Sequence, residues 1–521
     1  MAHVDKLIVT NRTALKAKYG SGTKQILRAL EDLIRADDKR GLVTRVLELD
    51  DARTMRVLQA PRVIAVESAE QNKNAIDAAF RTLEPDYLLL LGSRDVVPHQ
   101  HLRNPMFHKD DDEDASVPSD LPYACEAPYS VQPRDFRGPT RVVGRLPDLT
   151  GGTDPAYLAR LVNTAATYVR RAPEQYLDYF GVSAAIWKAS TELSLRNTFG
   201  GCDDLQVVPR KTFEWPARLL RRRAHFINCH GGDREPLFYG QPASGADDYP
   251  EAHSARYLRG KVVPGTVVAA ECCYGAQLYA PSTRRGQAGI CNTYLEGGAY
   301  AFFGSSTIAY GPSSGNGEAD YICQFFLQQM LGGASLGRAA LEARQKFVQW
   351  VTILDPHNLK TLAQFDLMGD PSIHPVAPPR HALSRTRIYK SVFRDTEALP
   401  PGRELRRQRL IRDGLSLART VRAVKQAPKR RPLGKVRRVL EAAARESKLR
   451  DVRFATYVAD DPARDLFRQA KLAPASHTEV HVAFGRRPVS RRETPGVVRT
   501  TAVLATVQDG EIVRLRRLHA R

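Results

Sequence analysis

The chain of 521 residues has no apolar run of the roughly 18 residues that a membrane-spanning helix needs. Its first residues already have the pattern of a β-strand, without the basic and apolar regions of a secretory signal. Cysteine is scarce, with seven residues at irregular positions, several of them in stretches predicted to be buried. Such spacing excludes a regular disulfide framework. We therefore expect a soluble protein of the reduced cytoplasm, neither secreted nor spanning a membrane.

Zinc-ligand spacing is also missing. Where His and Cys residues meet they form the adjacent pairs Cys229-His230 and Cys272-Cys273, which do not chelate as Cys-x-x-Cys does. We expect no metal or organic cofactor in the chemistry. The acidic run at residues 110–114 is first interpreted as a solvated loop; it is also a candidate for structural calcium, without the EF-hand spacing, or for docking a basic segment.

Positive charge is concentrated in one part of the chain. Residues 380–521, the basic segment, hold 35 Lys and Arg against 14 Asp and Glu, so the whole net charge of +21 lies there. Prolines at 375, 378 and 379 predict an extended linker before it. Such charge suits a polyanion or an acidic protein partner, although no nucleic-acid motif is present and aromatic residues are too few for stacking on single strands.

The remainder alternates between period-2 and period-3.6 patterns, which predicts an α/β sheet with helices on both faces. Strands are predicted over residues 6–10, 42–49, 87–91, 140–143, 182–189, 205–208, 225–229, 267–270 and 299–304, and helices over residues 22–37, 68–83, 155–171, 216–223, 251–258, 319–331 and 336–350. We predict two consecutive subdomains, 1–172 and 173–379, a basic helix-prone linker over 380–451, and a small basic α+β module over 452–521 with strands near 454–458, 479–484, 497–507 and 512–515 and a helix over 462–470.

Residues 224–275 concentrate the reactive side chains. Two apolar β-branched runs end in His230-Gly231 and in Cys272-Cys273, as buried parallel strands do when their C-terminal ends form a site. A cysteine nucleophile needs an imidazole to accept its proton. A His or a Cys taken singly is more often structural, but two of them at neighbouring strand ends favour a catalytic dyad. The N–H groups of Gly231 and Cys272 are the predicted oxyanion donors.

Strand-His-Gly followed by strand-Cys-x-x-Gly resembles the caspase-like cysteine peptidases, and the flanks are most similar to their gingipain-type branch. Further matching stretches occur in the same order, at residues 85–92 (PDYLLLLG), 142–147 (VVGRLP), 305–308 (SSTI) and 368–373 (MGDPSI). The resemblance covers about residues 5–376 and implies a caspase-like sheet and peptide-bond hydrolysis. Gingipains are secreted, which departs from the expectation above.

The resemblance bears on which cysteine is the nucleophile. In most related families the nucleophile precedes glycine by three positions, which selects Cys272; in caspases it precedes by two, which would select Cys273. Because neighbouring side chains on a strand point to opposite faces, only one of the two can meet His230. We predict Cys272.

A third catalytic member is implied by the stretch Ala189-Ser190-Thr191-Glu192, which matches a gingipain pattern with a carboxylate beside the catalytic His. Glu192 would then orient His230. The alternative is equally supported by the residues: Ser190 as an N-cap with Glu192 in the first turn of a helix.

Substrate-binding residues are also implied by the resemblance. Tyr310 and the preceding Ser305 and Ser306 fall in the region that lines the specificity pocket of related peptidases. Asp203 and Asp204 fall roughly where that branch places a carboxylate for a basic substrate residue, whereas nearby Arg196 would favour an acidic one.

Two functions are compatible with the sequence. The first is an intracellular cysteine endopeptidase that hydrolyses protein or peptide substrates with a His-Cys dyad. The second is a non-catalytic scaffold whose basic segment binds nucleic acid or an acidic partner.

Overall fold

The computed structural model describes residues 3–109, 111–210, 214–351, 353–377, 403–432, 434–460, 477–486 and 500–521. The strands up to residue 369 are β1 (Lys6–Thr10), β2 (Thr44–Glu48), β3 (Tyr87–Leu91), β4 (Gln100–Arg103), β5 (Ser116–Ser119), β6 (Val143–Leu146), β7 (Tyr179–Ala184), β8 (Leu205–Val208), β9 (Ala224–Asn228), β10 (His230–Gly231), β11 (Leu237–Tyr239), β12 (Glu251–Ser254), β13 (Val267–Ala270), β14 (Ala301–Ser305), β15 (Tyr310–Gly311), β16 (Ile353–Leu354) and β17 (Phe365–Gly369). Those that follow are β18 (Arg422–Gln426), β19 (Arg450–Ala459), β20 (Thr478–Arg486), β21 (Thr500–Gln508) and β22 (Glu511–Ala520).

The α-helices of the described residues are α1 (Arg12–Tyr19), α2 (Thr23–Lys39), α3 (Ala52–Val57), α4 (Ala69–Leu83), α5 (Pro155–Ala166), α6 (Glu174–Leu177), α7 (Lys188–Phe199), α8 (Ala217–Leu220), α9 (Ala255–Leu258), α10 (Ile290–Glu296), α11 (Glu318–Leu331), α12 (Leu336–Val351), α13 (Pro356–Gln364), α14 (Arg403–Thr420) and α15 (Gly434–Glu446). Their apolar residues recur at helical spacing: in α2, Ile26, Leu30 and Leu33 are buried along one stripe. None of these helices is both long and apolar enough to cross a bilayer.

A ten-stranded sheet in the order β2-β1-β3-β6-β17-β14-β13-β9-β7-β8 forms the centre. Pairing is parallel on either side of the contact between β17 and β14, which is antiparallel, so the sheet consists of two parallel halves running in opposite directions. Strands β3, β13 and β14 are almost wholly buried, which explains their continuous apolar sequences. The prediction of an α/β protein with a large parallel sheet is confirmed.

The predicted helix over residues 251–258 is wrong in its first half. Residues 251–254 form β12, which pairs with β11, and only Ala255–Leu258 is helical. The indole of Trp215 donates a hydrogen bond to the carbonyl of Ala252 at 2.8 Å. Cross-strand pairing here outweighs the local helical spacing, as tertiary contacts commonly do for short segments.

The basic segment forms a second sheet that includes strands of the preceding part of the chain. Its order is β15-β22-β21-β20-β19-β18-β16, so β15 and β16 lie at the two edges. Helix α15 packs on it through Val436, Leu440 and Ala443. Strand β18 and α15 lie in the stretch predicted as a linker, yet they belong to the same sheet and core as the predicted module. The predicted helix over residues 462–470 falls outside the described residues.

Candidate active site

Strands β9 and β13 are parallel neighbours, and their carboxyl ends bring the predicted dyad to one edge of the sheet. Ala270 is in register with Ile227, and the N–H of Glu271 donates to the carbonyl of Ile227 at 2.8 Å. His230 and the two cysteines follow immediately. A Cβ atom at Gly231 would overlap the carbonyl of Cys273, so only glycine allows these two backbones to pack so closely.

The adjacent thiols point to different surroundings. Cys272 Sγ lies 3.4 Å from the N–H of Cys229 and 3.8 Å from the carbonyl of Ile227, within the sheet. Cys273 Sγ accepts from the N–H of Ala309 at 3.3 Å and lies 3.5 Å from its carbonyl, in the loop before β15. This divergence is what alternation along an extended backbone produces. The contacts that the structure gives these two thiols are thus with backbone groups of Ile227, Cys229 and Ala309.

Burial controls the proton affinity of both thiols. It raises the pKa of Cys272 well above the ordinary thiol value and that of Cys273 to about 12, with the hydrogen bond from Ala309 and the charge of Lys360 opposing the second shift. Both are therefore thiols rather than thiolates at neutral pH in this conformation.

His230 is hydrogen-bonded to a side-chain amide. Its Nε2 lies 2.9 Å from Oε1 of Gln241, whose amide nitrogen faces the carbonyls of Gly245 and Ala246. Because Oε1 can only accept, the hydrogen of this bond is on Nε2. The ring packs against Trp187 at 4.3 Å and edge-on to Tyr249 at 5.1 Å. Gln241 thus lies in the orienting position that the family resemblance implies for Glu192.

Glu192 lies on α7 and is not brought to His230. Its carboxylate pairs with Lys188 at 3.6 Å and Arg196 at 3.1 Å on the partly exposed face of the helix. The capping alternative does not hold either, because Ser190 lies inside α7 and its hydroxyl donates to Asp320 at 2.6 Å. A helix turns its successive residues in different directions, so Ser190 and Thr191 of this motif are buried while Glu192 is partly exposed.

The other predicted substrate residues divide into two groups. Asp203 is exposed and Asp204 pairs with Arg222 at 3.2 Å, so neither lies at the thiols. Ser305 Oγ lies 2.7 Å from the carbonyl of Cys272, Ser306 Oγ donates to Pro118, and the Tyr310 hydroxyl donates to Asp112 at 2.9 Å. These three side chains brace the loop beside the cysteines, and the backbone of Tyr310 forms β15.

Strand β22 occupies the groove that β15 and the cysteines define. It pairs antiparallel with β15, with Ala520 opposite Tyr310. The N–H of Arg521 donates to the carbonyl of Ala309 at 3.0 Å. The carbonyl of Arg521 accepts from the N–H of Cys273 at 2.7 Å. A main-chain carbonyl is therefore held by a cysteine N–H, in the manner of an oxyanion donor.

The Arg521 guanidinium fills a buried acidic pocket. Asp320 accepts from both terminal nitrogens of the guanidinium, at 2.8 and 3.0 Å, and Glu271 also pairs with the guanidinium. The carbonyl of Pro312 accepts at 3.0 Å, Ser190 Oγ lies at 3.3 Å, and the ring of Trp187 lies 5.5 Å from the guanidinium carbon. A Cβ atom at Gly311 would overlap the guanidinium, so a side chain at this position would displace Arg521 from its place in the pocket.

Glu271 and Asp320 share the pocket as two neighbouring carboxyl groups. Burial and the charge of Asp320 raise the pKa of Glu271 well above its ordinary value, with Arg521 opposing the shift. The pair therefore retains a proton to higher pH than two isolated carboxylates would. Such a pocket matches a single positive charge.

Glu271, Asp320 and Arg521 are not among the site residues that the sequence predicts. Glu271 was visible as an acid directly before the cysteines at a strand end, which is a usable signal. Asp320 lies within an otherwise apolar helix, and Arg521 lies 249 positions from Cys272 in the numbering. Only the folded chain brings these groups together.

The acidic run at residues 110–114 is not a solvated loop. Asp111 and Asp112 are buried, and Lys360 pairs with Asp112 and with Asp114, at 3.7 Å for the second. Arg453 and Arg486 of the basic segment pair with Asp111 and Glu113. The docking alternative fits these contacts, and Lys360 supplies a cation between the carboxylates. Asp110 lies outside the described residues.

Among the described residues, the ligand atoms of His99, Asp120 and Asp366 form the one group close enough together to hold a metal ion. Asp120 is paired with Arg145 and Asp366 with Arg344, at 2.6 and 2.9 Å. These arginines already neutralise the carboxylates, so the donor set suits a buried ion-pair network better than a metal centre.

Comparison with known proteins adds one finding. Residues 248–376 match the sequence model of peptidase family C25, the gingipain family of cysteine peptidases, a range that includes both cysteines, Glu271 and Asp320. No curated protein sequence matches the chain. The family match supports cysteine peptidase activity, and peptides or proteins as substrates.

Proposed function

We propose that the protein is a caspase-like cysteine endopeptidase that cleaves after arginine, with Cys273 as nucleophile and His230 as general base. The observation that supports this most is the placement of Arg521. Its side chain lies between two buried carboxyl groups while its carbonyl meets the N–H of Cys273. A substrate arginine bound in the same way would have its scissile carbonyl beside this cysteine.

The sequence predicts Cys272 as the nucleophile, whereas the contacts in the groove favour Cys273 for this role. Cys273 Sγ lies 3.5 Å from the carbonyl of Ala309, the same atom that accepts from the N–H of Arg521 at 3.0 Å. Cys272 Sγ instead faces the backbone of β9 and the residue after it. A nucleophile must reach the carbonyl carbon of the residue in the pocket, which favours Cys273.

The chemistry follows from these groups. Cys273 loses its thiol proton to His230 Nδ1, and its sulfur forms a bond to the carbonyl carbon while the Cys273 N–H stabilises the oxyanion. The C–N bond breaks as His230 returns the proton to the leaving amine. Water, deprotonated by His230, then hydrolyses the thioester. Because the thiol of Cys273 bonds to Ala309 in this conformation, attack requires rotation about its Cα–Cβ bond.

The test uses Cys273→Ala, Cys272→Ala and His230→Ala, each made in the natural chain and in a chain with Arg521→Gln. Cleavage of a peptide with a single internal arginine is measured against the same peptide with citrulline. We expect Cys273→Ala and His230→Ala to abolish cleavage, and Cys272→Ala to retain most of it. Loss with Cys272→Ala and retention with Cys273→Ala would return the role to Cys272. Cleavage that survives both cysteine substitutions together would contradict the proposal.

A further inference from the structure

Strand β22 occupies the groove as an integral part of a sheet. On one side it pairs with β21 over most of its length, and on the other with the two residues of β15. Leu518, Ala520 and Arg521 are each at most 3% exposed, so no open channel separates the strand from the cysteines.

A second arginine attaches the same strand to the same helix. Arg516 pairs with Glu318, which lies in the first turn of α11, and with Asp355 before α13. Asp320, which binds Arg521, is two residues further along α11. Both ends of the residue 516–521 stretch are therefore held by buried charge pairs to one helix, which is the geometry of a fixed contact and not of a chance one.

The direction of the strand is that of a substrate. Peptides bound to an exposed strand edge add a strand through main-chain hydrogen bonds and place side chains in pockets. Here His519 and Ala520 lie along the edge of β15 and Arg521 lies at the cysteines, as the residues that precede a scissile bond would.

We propose that β22 is a built-in inhibitor whose Arg521 occupies the site in place of a substrate arginine and must be withdrawn before a substrate can bind. The assignment of the groove as a substrate site rests on the proposed function. Because the strand is covalently part of the chain, a free peptide competes with a very high local concentration of the same residue. The raised pKa of the Cys273 thiol fits a silent, water-excluded state.

The experiment compares the full chain with Arg521→Gln, which keeps most of the side-chain volume and removes the charge. The matched control is Arg514→Gln, an exposed arginine of the same strand. A fluorescent peptide with the sequence of residues 517–521 (RLHAR) reports groove occupancy by anisotropy, and iodoacetamide labelling followed by mass spectrometry reports access to Cys273. Neither readout needs catalysis.

Loss of charge-assisted hydrogen bonds to Asp320 and Glu271 is expected to increase peptide binding and Cys273 labelling at least about tenfold in Arg521→Gln. The natural chain and Arg514→Gln should behave alike. Equal binding and labelling in all three proteins would overturn the proposal.

A second variant covers the case in which Arg521→Gln does not fold, as judged by circular dichroism. Arg521→Lys keeps a positive charge but loses the planar donor set, so it should give a smaller increase of the same sign. An unchanged Arg521→Lys would overturn the proposal in that case. If RLHAR binds Arg521→Gln but this variant never cleaves the peptide with a single internal arginine, the proposed peptidase activity fails while the self-occupied site stands.

Discussion

The acidic pocket makes a specific prediction about Asp320. In a chain with Arg521→Gln, the further change Asp320→Asn removes the carboxylate that accepts from both terminal nitrogens of an arginine, at 2.8 and 3.0 Å in the occupied structure. Hydrogen bonds to charged groups contribute about 1.5–3 kcal/mol. Losing about 3 kcal/mol of transition-state binding lowers kcat/KM about 100-fold for an arginine substrate.

Glu271→Gln provides the comparison. Asp320 accepts from both terminal nitrogens of the Arg521 guanidinium, whereas Glu271 pairs with one of them. We therefore expect Glu271→Gln to cost less than Asp320→Asn for arginine. It also leaves an amide that still offers an acceptor.

Citrulline substrates test recognition of the guanidinium, since citrulline has nearly the shape of arginine but no charge, and has an oxygen in place of one terminal nitrogen donor. The ratio of kcat/KM for the arginine peptide to kcat/KM for the citrulline peptide should fall by nearly the same factor of about 100 in Asp320→Asn, and by a smaller factor in Glu271→Gln. The assay is initial-rate cleavage of two fluorogenic peptides that differ only at this position. An arginine-to-citrulline ratio unchanged by Asp320→Asn would refute the assignment of the pocket to substrate.

Two further predictions concern residues outside the pocket. Glu192→Gln should leave kcat/KM unchanged, because Glu192 pairs only with Lys188 and Arg196 among the contacts described; a tenfold loss would show that it reaches His230 during catalysis. His225 and His253 are both hydrogen-bonded to the Tyr294 hydroxyl at 2.8 Å. Burial lowers the pKa of each to about 3. Each therefore favours the folded state above pH 6.5 and loses that contribution as the pH falls towards 3. At pH 5 the loss is about 2 kcal/mol for each, and His253→Gln should flatten the fall of the unfolding free energy between pH 6.5 and 5 in urea titrations; an unchanged slope would contradict it.

The parts of this fold that the sequence predicts are those with local causes. Residues 87–91 (YLLLL) and 267–270 (VVAA) must be buried on both faces, and the reactive residues that follow such strands must lie at one edge of a parallel sheet. The meeting of His230 with the cysteine strand follows from that rule. Local sequence also gives the α2 stripe, because apolar residues at helical spacing need one buried face.

The parts that sequence could not give depend on contacts distant along the chain. Which of two adjacent thiols faces the groove depends on where the loop at Ala309 passes, and nothing in the sequence fixes that. Gln241 orients His230 because β10 and β11 pair as a hairpin, with His230 opposite Tyr239. A glutamine in a loop has no distinguishing pattern, whereas the stretch that ends in Glu192 resembles a known motif.

The positive charge of the basic segment helps to attach this segment to the rest of the chain, which composition alone does not indicate. Part of the positive charge of the basic segment meets acids of the preceding chain: Arg453 with Asp111, and Arg516 with Glu318 and Asp355. An exposed pair such as Arg486 with Glu113 is screened by salt and contributes little, whereas the buried pairs are screened much less.

An increase in ionic strength should therefore weaken exposed pairs such as Arg486 with Glu113 before it weakens the buried contacts of β22. Arg514 is exposed and could bind the predicted polyanion or acidic partner, and it lies on β22, whose other end fills the groove. A partner that binds this strand from outside would not meet Arg521, which is fully buried. To vacate the site it would have to separate β22 from β15, breaking the main-chain pairing of Tyr310 with Ala520 as well as the guanidinium contacts. Charge on the exposed face can recruit a partner, but opening the groove requires competition for the strand itself.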